Sequence, residues 1–207
     1  MRKINKTAPI TSFQRFVSAN PTANWRTFHE LAKDVYQESR DHILLEEQNC
    51  LCGYTEMPIE EITDSHLDHY VKRNFAANKI FDWNNLIASC NHDDFGAKYK
   101  DNASKIKSTD YALIFNPVED PVEQYFYYNE FGEIEAQPHL EPLLKEKVEK
   151  TIAIFNLKHP SLIERRKTII QYIRIYADGL LDVGTIKTAL FSLGFVSLVE
   201  QYCPQEE

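Results

Sequence analysis

Apolar positions change rhythm along the chain. Between Trp25 and Gln48, the residues Trp25, Phe28, Leu31, Ala32, Val35, Tyr36 and Ile43 recur near one stripe at helical spacing. That stripe predicts one long core helix with Asn24 as its N-cap. Met1 to Asn20 reads as a mostly irregular arm, punctuated by Pro9 and Pro21. From Tyr111 to Ala136 the pattern turns to strands: YALIF runs up to Asn116-Pro117, and EQYFYYNEFGEIE reads as a hairpin turning at Gly132. Helical spacing returns at about Glu141. Leu144, Val148, Ile152 and Phe155 form one stripe, which His159-Pro160 breaks. Ser161 with Glu164 then makes a capping box, opening a helix through Leu162, Ile169, Ile173 and Tyr176. A last helix is expected from about Val183 to Tyr202. These C-terminal stripes either pack on the core or dock a partner helix.

The stretch from Cys50 to Asp101 lacks long periodic helices and is rich in His, Asn, Asp and Cys, a composition suited to chemistry. The predicted organisation is therefore an arm and long helix (1–49), a chemical segment (50–108), a β-hairpin segment (109–140) and a helical part (141–207). The class is α+β, and no internal repeat is visible.

Charge changes the picture more than composition does. With 43% hydrophobic residues in 207, the chain can bury a real core. No apolar run approaches the roughly 20 residues of a membrane span. The basic opening MRKINK is followed by no apolar stretch, so it is not a secretory signal. The expected compartment is the cytoplasm, with the four cysteines reduced. The net charge is -8, and from Asp101 to Leu140 acidic residues outnumber basic ones by eight to two. A lone nucleic-acid binder usually carries a basic face. The acidity is either a solvated surface kept for solubility or a sign that a second protein supplies substrate affinity.

Candidate chemistry concentrates in HLDHYVKRN and FDWNNLIASCNHDDFGAKYKD. Asp68 and His69 are adjacent, Asn85 precedes Leu86, Cys90 follows Asn85 by five residues, and Asp94 follows it by nine. An Asp-His pair alone reads as a surface turn, Asn84-Asn85 as a turn or helix cap, and Asp93-Asp94 as a solvated acidic pair. Four residue types in this order resemble the signature of the HNH endonuclease family. The resemblance implies a ββα-metal core of two strands and a helix around one divalent ion. It implies His69 as general base, Asn85 holding the His69 ring, and Asp68 with Asp94 as ligands of Mg²⁺ or Mn²⁺. Asp93 or His92 is the alternative ligand. The chemistry is coherent: a neutral imidazole deprotonates water near neutral pH, and carboxylates suit a hard cation. Lys72, Arg73, Lys98 and Lys100 flank the site and are candidate phosphate contacts, or plain surface cations.

Many members of the family also carry a structural zinc on two Cys-x-x-Cys knuckles. In LLEEQNCLCGYTE, Cys52 matches the first knuckle and Thr55 stands where its partner should be. Cys90 matches the second knuckle, with Asp93 at the partner position. Cys50 and His92 are possible substitutes, at a spacing tight for tetrahedral zinc. The expectation is loss of the zinc, leaving Cys52 and Cys90 as buried apolar residues.

The runs LLEEQ, HYVKR, DWNNLIASC and FGAKYKDN, with the opening MRKINK and the hairpin, resemble the HNH nuclease subunit of Septu-type anti-phage systems, including retron-associated ones. This resemblance covers roughly the first two thirds of the chain. It implies an ABC- or SMC-type ATPase partner and, in retron versions, a reverse transcriptase with its RNA-linked DNA. A toxin-like ribonuclease acting on tRNA or other host RNA would share the same site. A catalytically inactive adaptor of the ATPase is the reading from another class.

Overall fold

A computed structural model describes residues 1–204. The N-terminal arm is irregular up to Ile10 but then forms a helix: α1 (Thr11–Ala19) carries Phe13 and Phe16 onto Phe28 and Phe81. Asn24 caps the next helix as expected, its side chain accepting from Thr27 N at 2.9 Å. The long helix, however, breaks at Ala32 (φ -133°, ψ 46°) into α2 (Trp25–Leu31) and α3 (Lys33–His42), and continues as a π-turn over Ile43–Glu47. The break folds the stripe back on itself. Tyr36 then packs edge-on against both Trp25 and Phe28, while Leu31 at the corner is left 76% exposed.

The chemical segment builds β1 (Ser65–His69) against β2 (Leu86–Cys90), antiparallel from Ser65 opposite Cys90 to His69 opposite Leu86. The helix α4 (Gly96–Asn102) follows. All five residues of β2 are buried, so its outer backbone edge needs partners. Gln48 supplies two. Its Nε2 donates to Ala88 O at 2.8 Å and its Oε1 accepts from Ala88 N at 2.9 Å. Gly53 N adds a bond to the same carbonyl at 3.0 Å.

The hairpin forms as β3 (Phe126–Tyr128) and β4 (Ile134–Ala136), but YALIF is not a strand. Ser108–Leu113 is a 3₁₀ turn whose N-terminus is held by Asp110, which accepts from Lys107 N at 2.7 Å. Ile114 and Phe115 are then buried consecutively, where a half-buried strand would alternate.

Four helices close the chain: α5 (Pro142–Phe155), α6 (Pro160–Asp178), α7 (Val183–Leu190) and α8 (Val196–Tyr202). The expected capping box of α6 is replaced by His159, whose Nδ1 accepts from Ser161 N. The expected last helix is split at Gly194, at φ +75°. A Cβ there would lie 2.5 Å from Glu56 O and 2.8 Å from Pro58 Cδ, so only glycine fits. Phe195 N then bonds Glu56 O at 2.9 Å, and Ser197 N bonds the buried Glu56 carboxylate at 2.8 Å. The C-terminal stripes thus pack on the core. Phe155 of α5 stacks on Tyr54 at 4.3 Å, and buried residues of all four predicted segments form one continuous cluster. The architecture is α+β, with small sheets among helices. No helix among the described residues is long and apolar enough to cross a membrane.

Candidate active site

The end of β1 opens into a cleft of about 450 Å³ lined by Trp25, His66, Leu67, Asp68, His69, Lys72, Arg73, Asn74 and Asp101. Asp68 and His69 are only 4% and 5% exposed. His69 is the last strand residue, and its ring lies edge-on to Trp25 with centroids 4.3 Å apart. Its Nε2 is 2.9 Å from Ile80 O. A carbonyl only accepts, so Nε2 carries the proton and Nδ1 keeps its lone pair. Burial pushes the His69 pKa down to about 4, with the Ile80 carbonyl and Asp68 opposing the shift. The ring is therefore neutral at ordinary pH.

Asn85 makes no side-chain hydrogen bond to His69. Its Oδ1 accepts from Val71 N at 2.8 Å, and its Nδ2 donates to Val71 O and Lys79 O, each at 3.1 Å. It braces both ends of the loop between β1 and Ile80. The correction is one of directness: the Ile80 carbonyl fixes the ring tautomer, and Asn85 fixes the loop that brings Ile80.

Asp68 is held on one oxygen. Tyr54 Oη donates to its Oδ2 at 2.5 Å, and Lys100 Nζ does so at 2.8 Å. Burial and the neighbouring Asp68 push the Tyr54 hydroxyl pKa well up, so it remains a donor. Lys100 is wholly buried and also donates to His69 O at 2.8 Å and Tyr70 O at 3.2 Å. It is thus not an exposed phosphate contact. Lys98 also points elsewhere, to Asn91 O and the Asp93 carboxylate. Of the four candidate cations, Lys72 and Arg73 line the cleft.

The structure does not bring Asp94, Asp93 or His92 to this cleft. They sit in the turn before α4, and none of them lines the cleft. Asp93 has a side chain 85% exposed. Asp94 is exposed, and its carbonyl accepts from Asn156 Nδ2 of the segment after α5. His92 stacks on Phe95 at 3.9 Å and lines a separate cleft with Cys90, Asp64 and Arg165. The second carboxylate in the cleft is Asp101. Burial, then Asp68, push its pKa up. Its Oδ1 is buried without a well-aligned hydrogen bond, 3.2 Å from Lys100 Nζ. Lys72 Nζ bonds Asp101 O at 2.7 Å. Ile80 and Asp101 carried no sequence signal beyond their place in the segment.

The two carboxylates suit a magnesium ion, which is commonly held by one or two carboxylates with water completing the shell. No trio of His, Cys, Asp and Glu side chains among the described residues is grouped as a metal cage. The Cys52 and Cys90 side chains interact, so the first residues of the two knuckles do converge. Cys52, Thr55 and Ser89 meet at Gly96, where an added Cβ would lie 3.3 Å from Ser89 Oγ and 3.9 Å from both Cys52 Sγ and Thr55 Cγ2. Gly96, not Asp93, faces the first knuckle. Cys52 and Cys90 are buried and Cys50 is exposed.

No family model matches the chain. One curated relative is an Escherichia coli protein named "Retron Ec83 putative HNH endonuclease". It is 27% identical over 97 residues, covering 44% of this chain and 37% of that protein. The chain is thus distantly similar, over less than half of either length, to a retron-associated protein with an HNH endonuclease name.

Proposed function

We propose that the chain is a metal-dependent HNH endonuclease hydrolysing phosphodiester bonds, with β1, β2 and α4 as its ββα-metal unit. The observation that carries this reading is the state of His69. Its Nε2–H is spent on Ile80 O, its ring is neutral, and it sits beside Asp68 at the mouth of a cleft that also holds Asp101. His69 Nδ1 takes a proton from the attacking water. Asp68 and Asp101 would hold Mg²⁺ or Mn²⁺, which when bound takes charge on the phosphate and the leaving oxygen. Lys72 and Arg73 position the phosphate backbone without reading sequence. The similarity to a retron-associated relative supports a retron setting, and the resemblance of LLEEQ, HYVKR and DWNNLIASC to Septu-type nucleases supports a role in anti-phage defence beside an ABC- or SMC-type ATPase. The net charge of -8 supports it too, since such a chain grips nucleic acid weakly by itself. A retron reverse transcriptase and its RNA-linked DNA are further partners under this reading.

No structural zinc belongs to this proposal, because Thr55 and Gly96 offer no ligand where the knuckles converge. Elemental analysis finding about one zinc per purified chain would contradict that.

One carboxylate swap tests the site. Asp101→Asn lowers metal-dependent cleavage by about tenfold or more, the loss of roughly 1.4 kcal/mol, while Asp94→Asn stays near wild type. The reverse order would return the metal to the turn before α4. An inactive adaptor gains from one observation, the occupation of Asp68 by Tyr54 and Lys100. It predicts no cleavage by any variant under any metal.

A further inference from the structure

A buried lysine is rare unless paired, and Lys100 is paired with unusual completeness. An ammonium has three hydrogens to donate. Lys100 has three acceptors within reach: Asp68 Oδ2 at 2.8 Å, His69 O at 2.8 Å and Tyr70 O at 3.2 Å. Asp101 Oδ1, 3.2 Å away, is left to a Coulombic contact without a well-aligned hydrogen. The ammonium therefore stands between the two carboxylates of the cleft. A second ammonium, Lys72 Nζ, lies 3.9 Å from the same Asp101 oxygen. The two carboxylates are already matched by these two ammonium groups, and Arg73 is a further cation in the same cleft.

We propose that Lys100 is the resident counter-ion of the Asp68–Asp101 pair, and that a divalent cation takes this pair only by displacing it. The inference rests on the reading of these two carboxylates as the metal site. A divalent ion brought to a balanced cluster gains little until one ammonium leaves, because like charges at such distances repel. Lys100 is the one in the way, since it donates directly to Asp68 and faces the uncapped Asp101 oxygen. Its flexible four-carbon stem lets the head group move without unwinding α4. Once displaced, the ammonium needs a new acceptor, and a phosphate in the cleft beside Lys72 and Arg73 provides one. Metal and nucleic acid then favour each other's binding by the same factor. The isolated chain binds Mg²⁺ weakly, and Lys100 acts as a positioning residue that ties metal loading to substrate.

Titration of Mg²⁺ by calorimetry and by thermal unfolding of the full chain tests this with Lys100→Met, which keeps the stem and removes the charge. The variant binds Mg²⁺ at least about tenfold more tightly than wild type. Without metal it is the less stable protein, because Asp68 loses its buried partner. Equal Mg²⁺ affinity in the two proteins would overturn the proposal while leaving the metal site in place. No Mg²⁺ response in either would overturn it together with the metal reading. A measurement on the wild type stands if the variant fails to fold. Amine acetylation read by mass spectrometry modifies Lys100 only when Mg²⁺ is present. Labelling indifferent to Mg²⁺ would overturn the displacement.

Discussion

His69→Ala protein, folded by circular dichroism, cleaves nucleic acid at least ~10²-fold more slowly than wild type, within the ~10²–10⁴ range lost with a general base. The ring is neutral and its tautomer is set by the Ile80 carbonyl, which leaves Nδ1 with the lone pair that takes the proton. The same geometry fixes the pH profile. His69 titrates at about 4 in the folded chain, below its ordinary value of 6.5. The base form is therefore complete through pH 6–8, and the acid limb of kcat/KM falls near pH 4. A limb near 6.5 would mean a ring in water and would remove Trp25 and Ile80 from the account. Stability follows the same sign. Between pH 6.5 and 4 the unfolded chain takes up the proton first, so the contribution present above 6.5 is lost as pH falls through this window. It amounts to about 3 kcal/mol on the scale of 1.36 per unit. Urea midpoints at pH 7 and pH 4.5 read it, in the background of other titrating groups.

Truncation after Pro142 yields an unfolded or aggregating chain, not a free-standing nuclease core. The deletion removes Val148, Ile152, Phe155, Leu162 and Ile169, all buried, along with further core residues of α7 and α8. Each such loss costs ~2–5 kcal/mol as a single truncation to alanine, against a whole-domain stability of ~5–15 kcal/mol. It also strips Phe155 from Tyr54, the donor on Asp68, and Ser197 from Glu56. Loss of ATPase association in such a truncation therefore says nothing about docking. Substitutions at exposed apolar residues of the C-terminal part, such as Ile175 or Leu180, are the cleaner probe of that surface. A soluble 1–142 fragment with cooperative thermal unfolding would contradict the single core.

The parts that were legible in the sequence are those where spacing and chemistry coincide. Asn24 and the hairpin at Gly132 announce themselves through local backbone demands, and Asp68 with His69 through adjacency at a strand end. The sites that misled are those decided by tertiary contact. Ala32 is a good helix former, and only the need to pack Tyr36 back on Trp25 and Phe28 explains the break there. Tyr111–Phe115 has strand composition, yet Asp110 and Thr151 draw it into a 3₁₀ turn and an extended tail. Asp94 matched a family spacing, but α4 begins only at Gly96, so the carboxylate that reaches β1 is Asp101, two turns later. Lys100 reads as a surface cation in any one-dimensional view, since nothing local shows that Asp68 and two carbonyls wait for it. Asn85 was recognisable as part of the site, while its action through the Ile80 loop needed the three hydrogen bonds themselves.

The central claim is metal-dependent hydrolysis at the Asp68–His69–Asp101 cleft. It is tested most directly by incubating the purified chain, alone and co-expressed with the proposed ABC- or SMC-type ATPase, with labelled DNA and RNA in Mg²⁺ and in EDTA. The account predicts strand cleavage in Mg²⁺, its loss in EDTA, weak salt-sensitive binding by the chain alone, and stronger cleavage with the ATPase. Intact DNA and RNA in every arm, with folded protein present, would contradict it and leave the chain an inactive adaptor.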